Sequence, residues 1–256
     1  MAGELKGDRR VIYLYGITES PGSDISELVG VDRLSKVETI ECDGVYCWIS
    51  RVSAVDFEKE LAQNMENLDW LAETSVAHQR VIGAIAHETE ILPARLGTVF
   101  RSKDSLCKHV RKRARGFKGD FARIKDADEW GVKVFQLEAA APKPANVRSG
   151  TDYLKAKAAM LKPRRRKAAT DGEIASFERA LERVAVETAP AGNVSRGQRG
   201  LMFQATLLIR RSNKKKLESL LEKFARQWSS ERRIECTGPW PPYSFVSRPT
   251  DGAKPV

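Results

Sequence analysis

The chain has 256 residues, 30% of them charged, and a formal net charge of +10. Its longest apolar runs, such as residues 201–209, are too short to cross a bilayer, and residues 1–10 contain no apolar signal segment. We therefore expect a cytoplasmic protein with no membrane partner. The positive charge permits nucleic acid, anionic lipid or an acidic protein as partner but selects none of them.

Three strands are predicted near the N-terminus. Residues 9–18 are rich in β-branched and aromatic side chains, which favours a strand. Residues 37–42 and 45–52 predict two more strands, joined by Asp43-Gly44, the dipeptide that two-residue hairpin turns prefer.

Helices are predicted to follow the hairpin. Ser53 is placed to cap a short helix, and longer helices are expected over about 67–87 and 102–125. The stripe expected to face inward on the first long helix is Leu71, Thr74, His78, Val81 and Ile85. The second long helix has an apolar face, and its other side carries Lys108, Arg111, Lys112, Arg115, Lys118 and Arg123.

The first domain is expected to span residues 1–138. Residues 91–100 read as a connecting loop or short strand because Pro93 and Gly97 interrupt them, and residues 130–137 alternate as a strand does. The order of elements predicts an α+β domain of ferredoxin-like type, with an antiparallel sheet and helices packed on one face.

A second, smaller α+β domain is expected over residues 150–246. Residues 139–149 are predicted to be a linker because they combine small residues with prolines, and residues 247–256 are predicted to be a flexible tail. The stretch 191–200 is predicted to be a flexible loop within the domain.

The second domain is also predicted to alternate helices and strands. Pro163 should stop or kink a helix that begins near Thr151, since proline lacks a backbone N–H. Thr170 with Glu173 forms a capping box that predicts the start of another helix. The remaining elements are a strand over 201–209, a helix capped by Ser212 and a last strand from Arg233.

The four cysteines favour reduced thiols. Cys42 and Cys47 flank the predicted hairpin turn and could face each other across it, while Cys107 and Cys236 are distant in sequence. None forms a CxxC pair or a zinc-binding spacing, and disulfides are rare in the cytosol.

No catalytic motif is present. The histidines at 78, 87 and 109 form no HExxH zinc site, and phosphate-binding loops and nucleophile-elbow sequences are absent. A histidine on the apolar stripe of a helix, as His78 is, is more often a core or interface residue than a catalyst. We therefore expect no enzyme activity, no metal and no cofactor.

The basic helix and residues 162–167 (KPRRRK) raise a nucleic-acid-binding alternative. These stretches lack interleaved aromatic residues and any recognised DNA- or RNA-binding motif. A run of charge is usually a solvated face, so nucleic acid is the less favoured partner.

Five sequence blocks in order give the chain a resemblance to a known family. They are Trp70-Leu71 with residues 77–82 (AHQRVI), residues 92–100, residues 129–133 (EWGVK), Gly150 with Tyr153-Leu154, and residues 238–245 (GPWPPYSF). With these blocks the chain resembles the gas vesicle protein F and protein L family from Tyr13 to Phe245.

The resemblance implies a non-enzymatic accessory protein of gas vesicle formation with two α+β domains. Its implied partners are the hydrophobic shell protein and other gas vesicle accessory proteins, and some family members are minor components of the vesicle. The alternative is a basic module that binds nucleic acid or another anionic partner. The residues taken as candidate partner contacts or family motif positions are His78, Arg80, Arg95, Lys133, Trp240 and Tyr243.

The block at residues 237–245 combines three prolines with three aromatic residues and cannot be a helix or a central strand. Large aromatic side chains are usually buried, so we expect Trp240 and Tyr243 to pack on the core of the second domain. The alternative is that they form a surface that a partner recognises.

Overall fold

The structure is a computed structural model that describes residues 9–22, 27–137, 163–190 and 198–247. The predicted linker, the helix expected from Thr151, most of the predicted loop over 191–200 and nearly all of the predicted tail lie outside these residues. No helix in the described ranges is both long and apolar enough to cross a membrane.

Nine strands and five α-helices make up the described part of the chain. The strands are β1 (Arg10–Thr18), β2 (Glu38–Cys42), β3 (Val45–Ser53), β4 (Ile91–Pro93), β5 (Val99–Phe100), β6 (Ala127–Gln136), β7 (Glu187–Pro190), β8 (Leu201–Arg210) and β9 (Arg232–Trp240). The helices are α1 (Leu61–Asn64), α2 (Leu68–Glu88), α3 (Lys103–Ile124), α4 (Pro163–Val184) and α5 (Lys214–Trp228). Single helical turns lie at Val55–Lys59, Arg211–Asn213 and Tyr243–Phe245.

The chain divides into two compact units, and both combine helices with a sheet. The first contains Met1–Asp128 together with Trp240–Val256, and the second contains Glu129–Pro239. The α+β class expected from the sequence is confirmed. The divisions differ from the expected boundaries, because β6 belongs to the second sheet and the C-terminal segment belongs to the first unit.

The sheet of the first unit has the strand order β2-β3-β1-β4, and β5 pairs with a further part of β1. This is the strand order of a ferredoxin-like sheet. Helix α2 connects β3 to β4, but residues 19–22 and 27–37, the described part of the connection from β1 to β2, contain no helix. The hairpin turn at Asp43-Gly44 forms as predicted, with Cys42 opposite Val45.

The second unit repeats that strand order with a helix in each crossover. Its described elements run β6-α4-β7-β8-α5-β9, and its sheet is ordered β7-β8-β6-β9. Strand–helix–strand–strand–helix–strand is the ferredoxin-like sequence of elements. Because β9 lies at the edge of the sheet, it can run through Pro239 to Trp240 without leaving a gap in a ladder of hydrogen bonds.

The two long helices of the first unit start where the sequence predicts, but the caps predicted at Ser53 and Ser212 are wrong, since the helices there begin after Ala54 and Asn213 without a side-chain cap. The Asn67 side chain accepts hydrogen bonds at the start of α2, and Ser102 forms a capping box at the start of α3. The predicted start at Thr170 is wrong, since α4 is already helical from Pro163. A proline fits the first turn of a helix because the N–H that it lacks has no partner there.

A disulfide joins Cys42 to Cys107, with 5.1 Å between their Cα atoms. It attaches the β2–β3 hairpin to α3, so the prediction of reduced thiols is wrong for these two residues. Cys47 is free and buried, and it lies opposite Ile40 rather than Cys42. The pairing joins positions 65 residues apart, and only the packing of α3 on the hairpin reveals it.

The C-terminal segment is held by α3 in the first unit. The carboxylate of Asp120 is fully buried and accepts hydrogen bonds from the backbone N–H and the hydroxyl of Ser247, at 3.0 and 2.7 Å. Arg123 donates to the Phe245 carbonyl at 3.1 Å, and the guanidinium of Arg113 donates to the Ser247 carbonyl. A buried carboxylate on a helix thus holds the returning chain.

Candidate functional site

The YLYG sequence of β1 is the starting point of a buried polar network. The Tyr13 hydroxyl lies 2.9 Å from Nδ1 of His78 on α2 and accepts a hydrogen bond of 3.2 Å from the backbone N–H of Gly97. Burial raises the pKa of Tyr13 well above its ordinary value. One phenol therefore joins β1 to α2 and to the loop that follows β4.

His78 completes this link from the helix. Its Nε2 lies 3.2 Å from the carbonyl of Ala94, which can only accept, so Nε2 carries the proton and Nδ1 accepts from Tyr13. Burial lowers the pKa of His78 to about 4, so the ring is neutral at pH 7. The side chain is 2% exposed and serves as a connector within the core.

Tyr15 performs the corresponding task for the loop between β1 and β2. Its hydroxyl lies 2.7 Å from the Ser50 hydroxyl and accepts a hydrogen bond of 2.7 Å from the backbone N–H of Val31. Burial raises the pKa of Tyr15 to about 12. A Cβ at Gly30 would lie 2.8 Å from this hydroxyl, so the loop comes this close because residue 30 is glycine.

Gly16 has a similar role at the other side of β1. A Cβ there would approach the Leu92 carbonyl oxygen to 2.8 Å and the Ile91 side chain more closely still. Glycine therefore permits β4 to pair with β1, which places the loop of residues 94–97 over Tyr13. Tyr13, Tyr15 and Gly16 thus hold α2, the loop between β1 and β2 and the loop after β4 in position.

Two groups of exposed apolar residues lie on the first unit, one on α2 (Leu68, Ala72 and Val76) and one in the loop between β1 and β2 (Val29 and Leu34), and we call them together the α2 surface. Leu34 is 86% exposed, Leu68 78% and Val76 68%. Residues 68, 72 and 76 follow one another at helical spacing on the outer side of α2, opposite the buried stripe that contains His78. Several large apolar side chains exposed on a helix and on the loop attached to it are typical of interaction sites.

Polar contacts attach the loop to the helix beneath this surface. Arg80 on α2 donates a hydrogen bond of 2.9 Å to the Val29 carbonyl, and Arg33 forms a salt bridge of 3.5 Å with Glu73. The turn that presents Leu34 is closed by the Asp32 carboxylate, which accepts from the backbone N–H groups of residues 34 and 35. These contacts hold the loop that carries Val29 and Leu34 in place on α2.

A cavity of about 380 Å³ opens between this loop and α2. Phe57 and Trp70 form part of its wall, Leu34 stands at its side, and Arg10 and Asp56 are among its charged lining groups. The cavity gives the α2 surface a recess with both apolar and charged walls.

The structure brings together some of the residues singled out from the sequence. His78 and Arg80 lie on α2, and Arg95 is exposed in the loop whose Ala94 carbonyl binds His78. Tyr243 packs against the same core cluster as Tyr13 and Tyr15. Lys133 belongs to the second unit, where its Nζ lies 3.3 Å from the side-chain oxygen of Gln198.

The expected packing of the C-terminal aromatic residues is wrong in two respects. Tyr243 packs on the core of the first unit rather than the second, and Trp240 is 47% exposed. Phe245 is the fully buried aromatic residue of this segment. The α3 hydrogen bonds to residues 245 and 247 are the reason, since they hold the segment on the first unit.

Sequence reasoning did not identify Leu34, Leu68 or Val76. A signal was available at residues 68, 72 and 76, which repeat every four positions outside the predicted inner stripe. Nothing local marks Leu34, because its exposure depends on how Tyr15 and Asp32 shape the loop. Within the part of the chain that the structure describes, no group of three His, Cys, Asp or Glu residues could hold a metal ion.

Comparison with known proteins agrees with this architecture. The model of the family "Gas vesicle synthesis protein GvpL/GvpF" matches residues 11–247. Gas vesicle protein L of Streptomyces sp. (strain CB03234) is 32% identical over 214 residues, which cover 76% of this chain and 77% of that protein.

Two solved structures share the fold. The crystal structure of gas vesicle protein GvpF from Anabaena sp. PCC7120 matches with a TM-score of 0.69 at 17% identity, covering 94% of this chain and 100% of that one. The structure of GvpF from Microcystis aeruginosa matches with a TM-score of 0.65 at 19% identity, covering 93% and 99%. The family match across nearly the whole described chain and the identity to protein L together show that this chain belongs to the GvpL/GvpF family of gas vesicle proteins.

Proposed function

We propose that this protein is a non-enzymatic accessory factor of gas vesicle formation that binds the hydrophobic shell protein through the α2 surface. Membership of the GvpL/GvpF family supports the role in gas vesicle formation. The observation that carries the binding proposal is the group of highly exposed apolar side chains at positions 34, 68 and 76. A shell subunit with apolar surface would be protected from aggregation by such a contact.

The buried network supports a binding role rather than a catalytic one. Its histidine is neutral and closed off from solvent, and both of its ring nitrogens are engaged by Tyr13 and Ala94. The network instead holds the loop and α2 in a fixed arrangement before a partner arrives, which lowers the entropic cost of binding. We place the protein in the cytoplasm, associated with the vesicle and with other gas vesicle accessory proteins.

The test is co-purification of the shell protein with a variant of the α2 surface. The variant is Leu34→Gln, Leu68→Gln and Val76→Gln combined, and its matched control is Leu137→Gln with Val186→Gln, two exposed apolar residues of the second unit. Each change is at the surface and should alter the free energy of unfolding by about 0.5 kcal/mol or less. Nuclease is added throughout, to remove contacts mediated by nucleic acid.

We expect the triple variant to retain roughly a tenth or less of the shell protein, because central apolar contacts carry most of the energy of an interface. The control should retain nearly all of it. Equal loss in both variants, or full retention by the triple variant, would contradict the α2 surface as the binding site. Loss of all shell-protein binding by the unaltered protein once nuclease is present would contradict the proposed function itself.

A further inference from the structure

The outward face of α3 carries a concentrated positive charge. Five cationic side chains share this face and are exposed to solvent: Lys108, Arg111, Lys112, Arg115 and Lys118. They repeat at intervals of three and four residues, so they lie in two neighbouring rows along one side of the helix. With a rise of 1.5 Å per residue, positions 108 to 118 span about 15 Å, or about three turns.

The basic residues of α3 differ in whether they pair with other residues of the protein. Arg113 and Arg123 hold the C-terminal segment, and Arg111 binds Asp43 through two nitrogens at 2.9 and 3.1 Å. By contrast, the side chains at 108, 112, 115 and 118 form no salt bridge with any other described residue. Helix α3 thus has structural cations at its sides and, on its outer face, cations that no described residue pairs with.

The face is held rigidly at both ends. The disulfide between Cys42 and Cys107 and the Arg111–Asp43 pair attach its first half to the β2–β3 hairpin. The Asp120–Ser247 contacts attach its second half to the C-terminal segment. A charged face that does not move on binding loses little conformational entropy when a partner docks.

We infer that this face binds an acidic helical segment of a partner protein, about three turns long. Opposite charges at matching helical intervals would pair the two helices, as they do along a coiled coil. Gly119 lies on the face and Gly116 beside it, and a Cβ at either position would meet no atom within 4 Å. Open space around these residues allows a partner helix to approach closely.

Carboxylates at the borders of the face favour a peptide over a nucleic acid. Asp104 lies one turn before Lys108 on the same side of α3, and Asp43 lies beside Arg111. A phosphate backbone is negative along its whole length and would be repelled where it runs past these groups. A peptide can place its acidic residues opposite the cations alone. The face also presents no aromatic side chain on which bases could stack.

The experiment measures binding of a fluorescent Glu/Ala helical peptide of about 15 residues, long enough to cover the face. The test variant is Lys108→Gln, Lys112→Gln and Lys118→Gln combined. Its control is Lys215→Gln, Lys216→Gln and Lys223→Gln on α5, which lie exposed on the second unit and remove the same total charge. Fluorescence anisotropy is followed at low and physiological salt, with a duplex DNA and with anionic phosphatidylglycerol vesicles as separate probes.

We expect the test variant to bind the peptide about tenfold more weakly, while the control changes by less than about twofold. Equal weakening by both variants would show that net charge alone attracts the peptide, and would overturn the inference. Tighter binding of DNA or of vesicles than of the peptide, lost in the test variant, would assign the face to another class of partner and also overturn it. These residues lie outside the α2 surface, so the outcome is independent of the shell-protein test.

Discussion

The two units have the same order of strands but build their cores differently. The core of the first unit contains hydrogen-bonded side chains, with Tyr13 joined to His78 and Tyr15 joined to Ser50. In the second unit, Phe177 packs against the rings of three other aromatic residues, with centroid distances of 5.6 Å to Phe203, 4.8 Å to Phe224 and 5.2 Å to Trp228.

This difference shows that strand order alone does not decide what a core does. The aromatic rings of the second unit pack edge-to-face on one another, and this packing serves stability. The polar atoms of the first core are directional, and each reaches a backbone group of a loop: Gly97, Ala94 and Val31. Through Tyr15 and Val31, the first core therefore also shapes the loop that carries Val29 and Leu34 of the α2 surface.

The largest effect is expected from removing the central ring of the second core. Phe177→Ala should lower the free energy of unfolding of that unit by about 3–5 kcal/mol, because a fully buried ring is replaced by a cavity. Phe177→Leu, which fills more of the space, should cost clearly less. Hydrogen exchange followed peptide by peptide separates the units, and faster exchange in the first unit as well would show that their stabilities are coupled.

Reduction of the disulfide should act on the other unit. Breaking the Cys42–Cys107 bond frees a chain segment of 65 residues, and we expect a loss of about 2–4 kcal/mol, confined to the first unit. The second unit contains only Cys236, which is free. Thermal denaturation with and without a thiol reductant measures the change, and Cys42→Ala with Cys107→Ala should remove the response. A response that persists in this double variant would contradict the assignment.

Lowering the pH should destabilise the first unit more than the second through histidine protonation, since all three histidines lie in the first. The unfolded chain protonates His78 near its ordinary pKa of 6.5, whereas the folded protein does so only near a pKa of about 4. The stability that neutral His78 contributes is therefore complete above pH 6.5 and lost as the pH falls towards 4, by about 2–3 kcal/mol. Urea unfolding across this range measures the slope, and His78→Gln should flatten it. An unchanged slope in this variant would assign the pH dependence to carboxylates.

The smallest effect concerns the segment that returns to the first unit. Trp240→Ala should cost about 1 kcal/mol or less, because the ring is half exposed, while Tyr243→Ala should cost about 2–3 kcal/mol through lost packing against the first core. Melting curves of the two single variants compare them directly. The opposite ranking would mean that Trp240 is the residue that anchors the segment.

Local signals in the sequence predicted much of the first unit. The turn at Asp43-Gly44, the starts of α2 and α3 and the buried position of His78 each depend on neighbours within a few residues or on helical spacing. Such features are visible in sequence because one element determines them.

Features that depend on distant contacts were missed. The Cys42–Cys107 bond, the place of β6 in the second sheet and the exposure of Leu34 all depend on which elements meet in space. Strand β7 was missed for another reason: Glu187-Thr188-Ala189-Pro190 is short and weak in strand-forming residues, and pairing with β8 determines it. For the candidate site, the sequence identified the buried supports, whereas the exposed apolar residues became visible only with the fold.

The return of the chain to the first unit sets an order of events during translation. Residues Glu129–Pro239 leave the ribosome after α3 and before the segment that Asp120 binds. The first unit therefore lacks its buried Phe245 until the whole of the second unit has been synthesised, although α3, which holds that segment, is made much earlier.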